Sequence, residues 1–351
     1  MDGFHIKGLF VNFIHHFWPS LVKRDGFLQH FVTPIVKATP TSGKKGRKEF
    51  YNLLDYRKWQ DSLSAEEKKK WRVKYYKGLG TSTAEEGKQY FQNLENQRID
   101  FVYQKESETD DAADRAIMMA FSKSLVSQRK AWLNGYITAG AGMGSKEGEQ
   151  WLEQEQGLAS TIPYQHVQKV SYKQFVDEEL IQFSNADNIR NIPSVIDGLK
   201  PGQRKVLFAC LRRNLVQEMK VAQLAGYVSE TTAYHHGEAS LYSTIINMAS
   251  DYVGSNNVPL LLPIGQFGTR LEGGKDAASP RYIFTKLNPI TRLIYMKEDE
   301  PLLQYCSDDG VPIEPVYFVP IIPMVLVNGV EGVGTGWSTK VSQVFVDLLV
   351  S

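Results

Sequence analysis

Cysteine is scarce in this 351-residue chain, which holds only Cys210 and Cys306. The two show no metal-ligand spacing and read as reduced core residues. No apolar run approaches the ~20 residues that cross a bilayer. Asp2, His5 and Lys7 near the start exclude a secretory signal peptide, so an intracellular protein without a membrane partner is expected. Net charge is nearly absent as well, since 40 Lys and Arg face 39 Asp and Glu to leave +1. Composition as a whole therefore points to no polyanionic partner, and any nucleic-acid footprint must be local. One local concentration exists: Lys200, Arg204, Lys205, Arg212, Arg213 and Lys220 fall close together.

What is present suffices for two or three domains with real cores, at 42% apolar residues. Leu9, Phe10, Phe13, Ile14, Phe17 and Leu21 recur at helical spacing, which predicts a helix over about 5–17, buried on that face and stopped by Pro19. Phe31, Val32, Ile35 and Val36 predict a strand, followed by a lysine-rich loop at Lys44–Lys48. Helices are predicted near Tyr51–Gln60 and Thr83–Asn96, and this alternation suggests an α/β unit. From Asn134 to Ser160 the chain turns rich in Gly, Glu and Gln, as a linker or surface excursion does. A second, mixed unit is expected to start near Ser171, with helices around Tyr172–Ser184, Gly202–Arg213 and Glu238–Tyr252. The apolar run Val316–Val327 predicts a buried strand, and Gly329, Gly332, Gly334 and Gly336 a tight loop after it.

Three segments carry chemistry. Gly265-Gln266-Phe267-Gly268 leads through Gly273-Gly274 to Ser279-Pro280-Arg281-Tyr282, a loop whose glycines allow close backbone approach to phosphate and which sets a fixed positive charge beside a phenol. Tyr234-His235-His236-Gly237-Glu238 offers a histidine for phosphate contact or proton transfer; adjacent histidines point apart on any regular element and rarely share one metal. Asp197-Gly198-Leu199-Lys200-Pro201-Gly202-Gln203-Arg204-Lys205 reads as a turn into a basic helix start, which suits a phosphate. Taken singly, these favour blander readings: a loop arginine beside a half-buried tyrosine, a structural histidine, a solvated helix end.

Together, and in this order, they bring the chain close to a known family. With Gly3–Phe13, Tyr75-Tyr76-Lys77-Gly78-Leu79-Gly80-Thr81-Ser82 and Glu331–Ser338, it resembles eukaryotic-type DNA topoisomerase II, a type IIA topoisomerase, from Asp2 to about Lys340. The resemblance implies an α+β / α/β multidomain chain. Its parts would be the C-terminal part of a Toprim domain over 1–125, a linker or excursion over 126–170, a winged-helix DNA-cleavage domain over 171–320, and the start of a tower domain with a divergent tail over 321–351.

The same resemblance implies an ATP-dependent isomerase of the nucleus, a homodimer sharing its cleavage sites between protomers, which breaks and rejoins double-stranded DNA. Tyr282 would form the 5′-phosphotyrosyl link and Arg281 would stabilise charge on the phosphate, with His236 and Arg204 in the same cleavage site. Lys200 and Tyr234 would contact DNA, and Val333, where the family has isoleucine, would part a base step as a wedge. Mg²⁺ is implied, with Asp2 the remnant of an acidic cluster whose main ligands, like the ATP-binding domain, are expected outside this chain. The tail after Lys340 departs from the family pattern, so a partial gene product that is inactive alone is expected. The competing reading is a non-catalytic winged-helix DNA-binding fragment. A prokaryotic gyrase is disfavoured by His235-His236 and Gly202-Gln203.

Overall fold

The computed structural model describes residues 2–41, 46–51, 53–76, 82–92, 94–103, 111–138, 169–234, 237–308 and 311–344. They fall in two compact units, Met1–Phe183 and Ser184–Ser351.

In the first unit, α1 (Asp2–Phe17) ends where expected, because Pro19 cannot continue it and instead opens α2 (Pro19–Val22). Its buried face differs from the predicted one. Val11 and Ile14 are buried, whereas Leu9, Phe10, Phe13 and Phe17 are exposed. The predicted strand through Phe31 and Val36 is two strands of separate sheets, β1 (Gln29–Phe31) and β2 (Val36–Pro40), parted by Pro34. Lys48 is not in a loop but opens β3 (Lys48–Phe50), which is followed by α3 (Leu53–Asp61), α4 (Ala65–Lys68) and β4 (Trp71–Tyr75). Then come α5 (Ala84–Gln92), α6 (Leu94–Gln97), β5 (Arg98–Val102), α7 (Ala112–Phe121) and α8 (Val126–Tyr136). Asn134 to Tyr136 are thus helical; residues 139–168 of the expected excursion, and 77–81 of the glycine-bearing landmark, lie outside the described residues.

The second unit was expected from Ser171, yet β6 (Lys169–Ser171) pairs in parallel with β5 in the first. Val170, Tyr172, Phe175 and Val176 bury there with Val11, Ile99, Phe101 and Ile117, so this core claims the chain up to Phe183. The sheet order is β1-β5-β6, and a second sheet, β3-β2-β4, is wholly antiparallel over a smaller core of Val36, Ala38, Phe50 and Tyr56. After β6, α9 (Tyr172–Gln174) runs into π-helical turns over Phe175–Leu180.

The second unit takes in most of α10 (Ile181–Asn191), then α11 (Pro201–Arg213), β7 (Met219–Lys220), α12 (Val221–Thr231) and α13 (Glu238–Ala249). Strands β8 (Leu261–Ile264) and β9 (Phe284–Leu287) complete an antiparallel sheet ordered β7-β9-β8. Val206, Leu207 and Cys210 of α11, Leu224 and Val228 of α12, and Leu241 and Ile245 of α13 share a dry core with Leu261 and Ile283. Truncating the fully buried Leu207 to alanine would cost about 2–5 kcal/mol. Three helices against a small sheet with a long β8–β9 connection is a winged-helix arrangement.

Farther on lie α14 (Thr291–Ile294), β10 (Tyr305–Asp308), β11 (Val311–Pro315) and α15 (Met324–Val327). Val316–Val327 is therefore no strand: Pro320 and Pro323 lack the N–H a ladder needs, and a short helix ends the run. The glycine-rich stretch is a hairpin rather than a loop, with β12 (Val330–Val333) paired to β13 (Ser338–Val341). Past it, the Val344 N–H donates to the Leu326 carbonyl at 2.9 Å.

Candidate active site

The connection from β8 to β9 is folded tightly onto itself. Gly268 has φ +94°, and a Cβ there would stand 2.4 Å from the Gly274 Cα, so only glycine allows the two backbones to meet. The Gly274 N–H donates to the Thr269 carbonyl at 3.0 Å, and the Thr269 N–H to Asp276 Oδ1 at 2.8 Å. That backbone hydrogen bond holds the Asp276 carboxyl below its ordinary range. The Ala278 N–H closes the base by donating to Gln266 O at 2.9 Å.

Ser279-Pro280-Arg281-Tyr282 then makes a β-turn, with the Tyr282 N–H donating to Ser279 O at 2.9 Å and proline in the position that favours it. This turn is pinned to the start of α12. The Ala222 N–H donates to Pro280 O at 3.1 Å and the Val221 N–H to Ile283 O at 3.0 Å, so two orphan donors of the helix end are satisfied by carbonyls on either side of Arg281-Tyr282. Ile283 is buried in the core, while Arg281 is exposed and Tyr282 is 76% exposed. The backbone is thus fixed and the phenol faces outward. Nearby on α13, the Tyr242 hydroxyl donates to Glu238 at 2.7 Å, which pushes that phenol up; the Arg281 charge acts in the opposite sense and so lies within reach of it.

Lys200 caps α11, its N–H donating to Gln203 Oε1 at 2.8 Å with Pro201 in the first helical turn. Arg204 is placed differently from the expectation. It is 6% exposed, and its guanidinium binds both Asp197 oxygens and the Leu199 carbonyl. Its donors are turned inward to that carboxylate rather than outward to a phosphate. Lys205 is likewise committed, to Glu314 at 2.8 Å and the Thr232 carbonyl at 2.7 Å. The basic cluster of the sequence is therefore not one face: Arg212, Arg213 and Lys220 are exposed, and the other members are engaged or half-buried.

Tyr234 follows the far end of α12. Its N–H donates to Ser229 O at 3.2 Å through Ala233, whose φ of +48° is left-handed. An 11-residue helix separates it from the Tyr282 turn, which puts the two backbones about 16 Å apart. His235 and His236 lie outside the described residues. Val333 ends β12 at 67% exposure, so it does not plug the core of its unit. Asp2 belongs to the first turn of α1 in the other unit, and among the described residues no three His, Cys, Asp or Glu converge on a metal. A lone carboxylate is not the donor set a divalent cation needs, so no step is derived through one. The sequence reading overlooked Lys220 as a site residue, although it adjoins α12 and pairs with Phe284 beside the Tyr282 turn. It also overlooked Asp197, whose place just before the Gly198 turn was the available signal.

The class these features define is an α+β multidomain chain whose winged helix displays an arginine–tyrosine pair. Residues 31–188 match the C-terminal associated domain of TOPRIM, and residues 190–346 match the DNA gyrase/topoisomerase IV family. DNA topoisomerase 2 of Arabidopsis thaliana is 54% identical over 338 residues, covering 96% of this chain and 21% of the relative. Mitochondrial DNA topoisomerase 2 of Dictyostelium discoideum is 52% identical over 340 residues, 97% of this chain and 24% of the relative. The crystal structure of the DNA-binding, cleavage and re-ligation domain of Plasmodium falciparum topoisomerase II superposes with a TM-score of 0.75 at 46% identity, covering 99% of this chain and 43% of that one. This chain belongs to the type IIA topoisomerases, and it spans about a quarter or less of the length of those two relatives.

Proposed function

We propose that this chain is the breakage-and-rejoining segment of an ATP-dependent DNA topoisomerase II of the nucleus, working on double-stranded DNA as part of a homodimer. The 1–125 region then stands for the C-terminal part of a Toprim domain, 171–320 for the winged-helix domain and 321–351 for the start of a tower. The observation that carries the reading is Tyr282, exposed beside Arg281 on a turn whose flanking carbonyls are tied to α12. In this reading the phenolic oxygen attacks a DNA phosphorus, an O–P bond forms, and the bond to the 3′-oxygen breaks. The break is stored as a 5′-phosphotyrosyl ester, so rejoining is the reverse attack and little bond energy is lost. Arg281 neutralises charge growing on the phosphoryl oxygens, a role that positioning and fixed charge suffice to fill.

Lys200, Lys220 and Tyr234 hold the DNA backbone, His236 serves the same cleavage site, and Val333 enters the base stack. Arg204 acts at one remove, by bracing the loop that ends in Lys200. Mg²⁺ supplies further charge neutralisation when bound, through donors other than those described. A non-catalytic DNA-binding fragment is the weaker reading, since the similar proteins bear the names of enzymes. The test is to graft residues 1–340 into the matching segment of the full-length Arabidopsis relative and trap the covalent protein–DNA adduct with denaturant. Tyr282→Phe removes only the attacking oxygen and should abolish the adduct while DNA binding persists; an undiminished adduct refutes the assignment.

A further inference from the structure

The β12–β13 hairpin is short, and two strands alone are marginal in water. Something must brace it if Val333 is to push between base pairs against their stacking. The brace is visible on α10. Side chains alternate along a strand, so Gly332 and Gly334 face one way and Val333 the other. On the glycine side the hairpin lies directly on α10: a Cβ on Gly332 would stand 2.3 Å from Asn191 O, and one on Gly334 would stand 2.2 Å from Asn188 Oδ1. Beyond them the turn is fastened by side chains. Asn188 Nδ2 donates to the Thr335 carbonyl at 3.1 Å, and the Thr335 hydroxyl donates to Asp187 Oδ2 at 3.1 Å. Asp187 is itself fixed through Oδ1 by Asn191 Nδ2 at 2.7 Å and Arg190 Nη2 at 3.3 Å.

We propose that Asn188 and Thr335, backed by Asp187, are positioning residues that lock the hairpin to α10 and so hold Val333 rigidly outward as the DNA wedge. The proposal rests on the reading of Val333 as a wedge. A flexible hairpin would let the valine retreat when it meets a base step; one seated on a helix transmits the load into the core of the unit. The glycines at 332 and 334 permit the seating, and the Asn188 and Thr335 contacts keep it in register.

The experiment uses the whole chain and a duplex of about 30 base pairs carrying a fluorophore at each end, bent DNA being read as increased energy transfer. Val333→Ala should lose most of the transfer change at retained binding. Thr335→Val, which keeps shape but loses the hydroxyl, and Asn188→Ala should lose a comparable share with the melting midpoint little changed. Thr335→Ser should restore it. The double variant Val333→Ala/Thr335→Val should bend DNA no less than Val333→Ala alone, because both changes act through one side chain. Wild-type bending by Thr335→Val and Asn188→Ala, with Val333→Ala defective, overturns the anchor and leaves the wedge standing. Additive losses in the double variant reduce the anchor to general support and overturn it too. Unaltered bending by Val333→Ala, or no bending by the unmodified chain, removes the wedge and this inference with it.

Discussion

Arg204 and Asp197 are joined by two hydrogen bonds, Nε to Oδ2 at 2.8 Å and Nη2 to Oδ1 at 3.1 Å, with both side chains almost wholly buried. The same carboxylate accepts the Leu199 and Phe318 N–H groups, each at 3.0 Å. One buried charge pair thus ties together the loop before Lys200, the first turns of α11 and the segment after β11. Taking both charges out of water costs several kcal/mol apiece, which the pairing and the backbone donors offset.

Removing one partner leaves the other charge buried and uncompensated. Arg204→Ala should therefore destabilise the second unit by about 3–5 kcal/mol, measured as a lowered urea midpoint. Tyr282→Phe, at an exposed position, should leave the midpoint within about 0.5 kcal/mol of the parent. An Arg204→Ala chain that melts normally but binds DNA weakly would instead restore Arg204 to direct phosphate contact.

His30 supplies a pH dependence in the first unit. Its ring lies against Lys7 Nζ, at 3.0 and 3.2 Å from the two ring nitrogens, and Lys7 also pairs with Glu179. Burial, reinforced by the Lys7 charge, lowers the imidazole from 6.5 to about 4. Below 6.5 the unfolded chain takes up a proton that the folded chain refuses until about pH 4, so stability falls with pH across that window and levels off beneath it. The loss from this group is up to about 3 kcal/mol. Urea melts between pH 7 and 4 should show the parent losing more than His30→Gln by that amount; parallel curves would mean that the ring is protonated in the fold.

Local signals were read well, and failures came where partners distant in sequence decide. Pro19 announces the end of α1 from the sequence alone, but which side of α1 is buried depends on what packs there, and Val11 with Ile14 won over the richer aromatic stripe. The run Val316–Val327 satisfied an apolar count, while Pro320 and Pro323 within it already argued against a ladder. Four glycines between 329 and 336 suggested a loop, because glycine's role against Asn188 and Asn191 is invisible until α10 is in place. In the site, the turn carrying Arg281-Tyr282 was legible because glycine and proline fix it locally. The inward commitment of Arg204 was not, since a helical arginine looks the same whether it faces a phosphate or a buried aspartate seven residues earlier.

That distinction between facing outward and being engaged separates two lysines the sequence treats alike. Lys220 is exposed at the start of α12, and its neighbours Val221 and Ala222 hold the Tyr282 turn. Lys205 is spent on Glu314 and Thr232. A lysine that neutralises a phosphate releases about 0.9 counterion from B-DNA, and this appears in the slope of log affinity against log salt. Lys220→Gln should therefore weaken duplex binding by the whole chain and flatten the slope by about 0.9, with the urea midpoint almost unmoved. Lys205→Met should do the reverse, lowering the midpoint by about 3 kcal/mol because Glu314 is left buried without its partner, while the slope of what remains folded is unchanged. Fluorescence anisotropy titrations at several salt concentrations, run beside denaturant melts, measure both quantities. An unchanged slope in Lys220→Gln would move the DNA path away from the start of α12, and with it the reading that the Tyr282 turn faces the backbone.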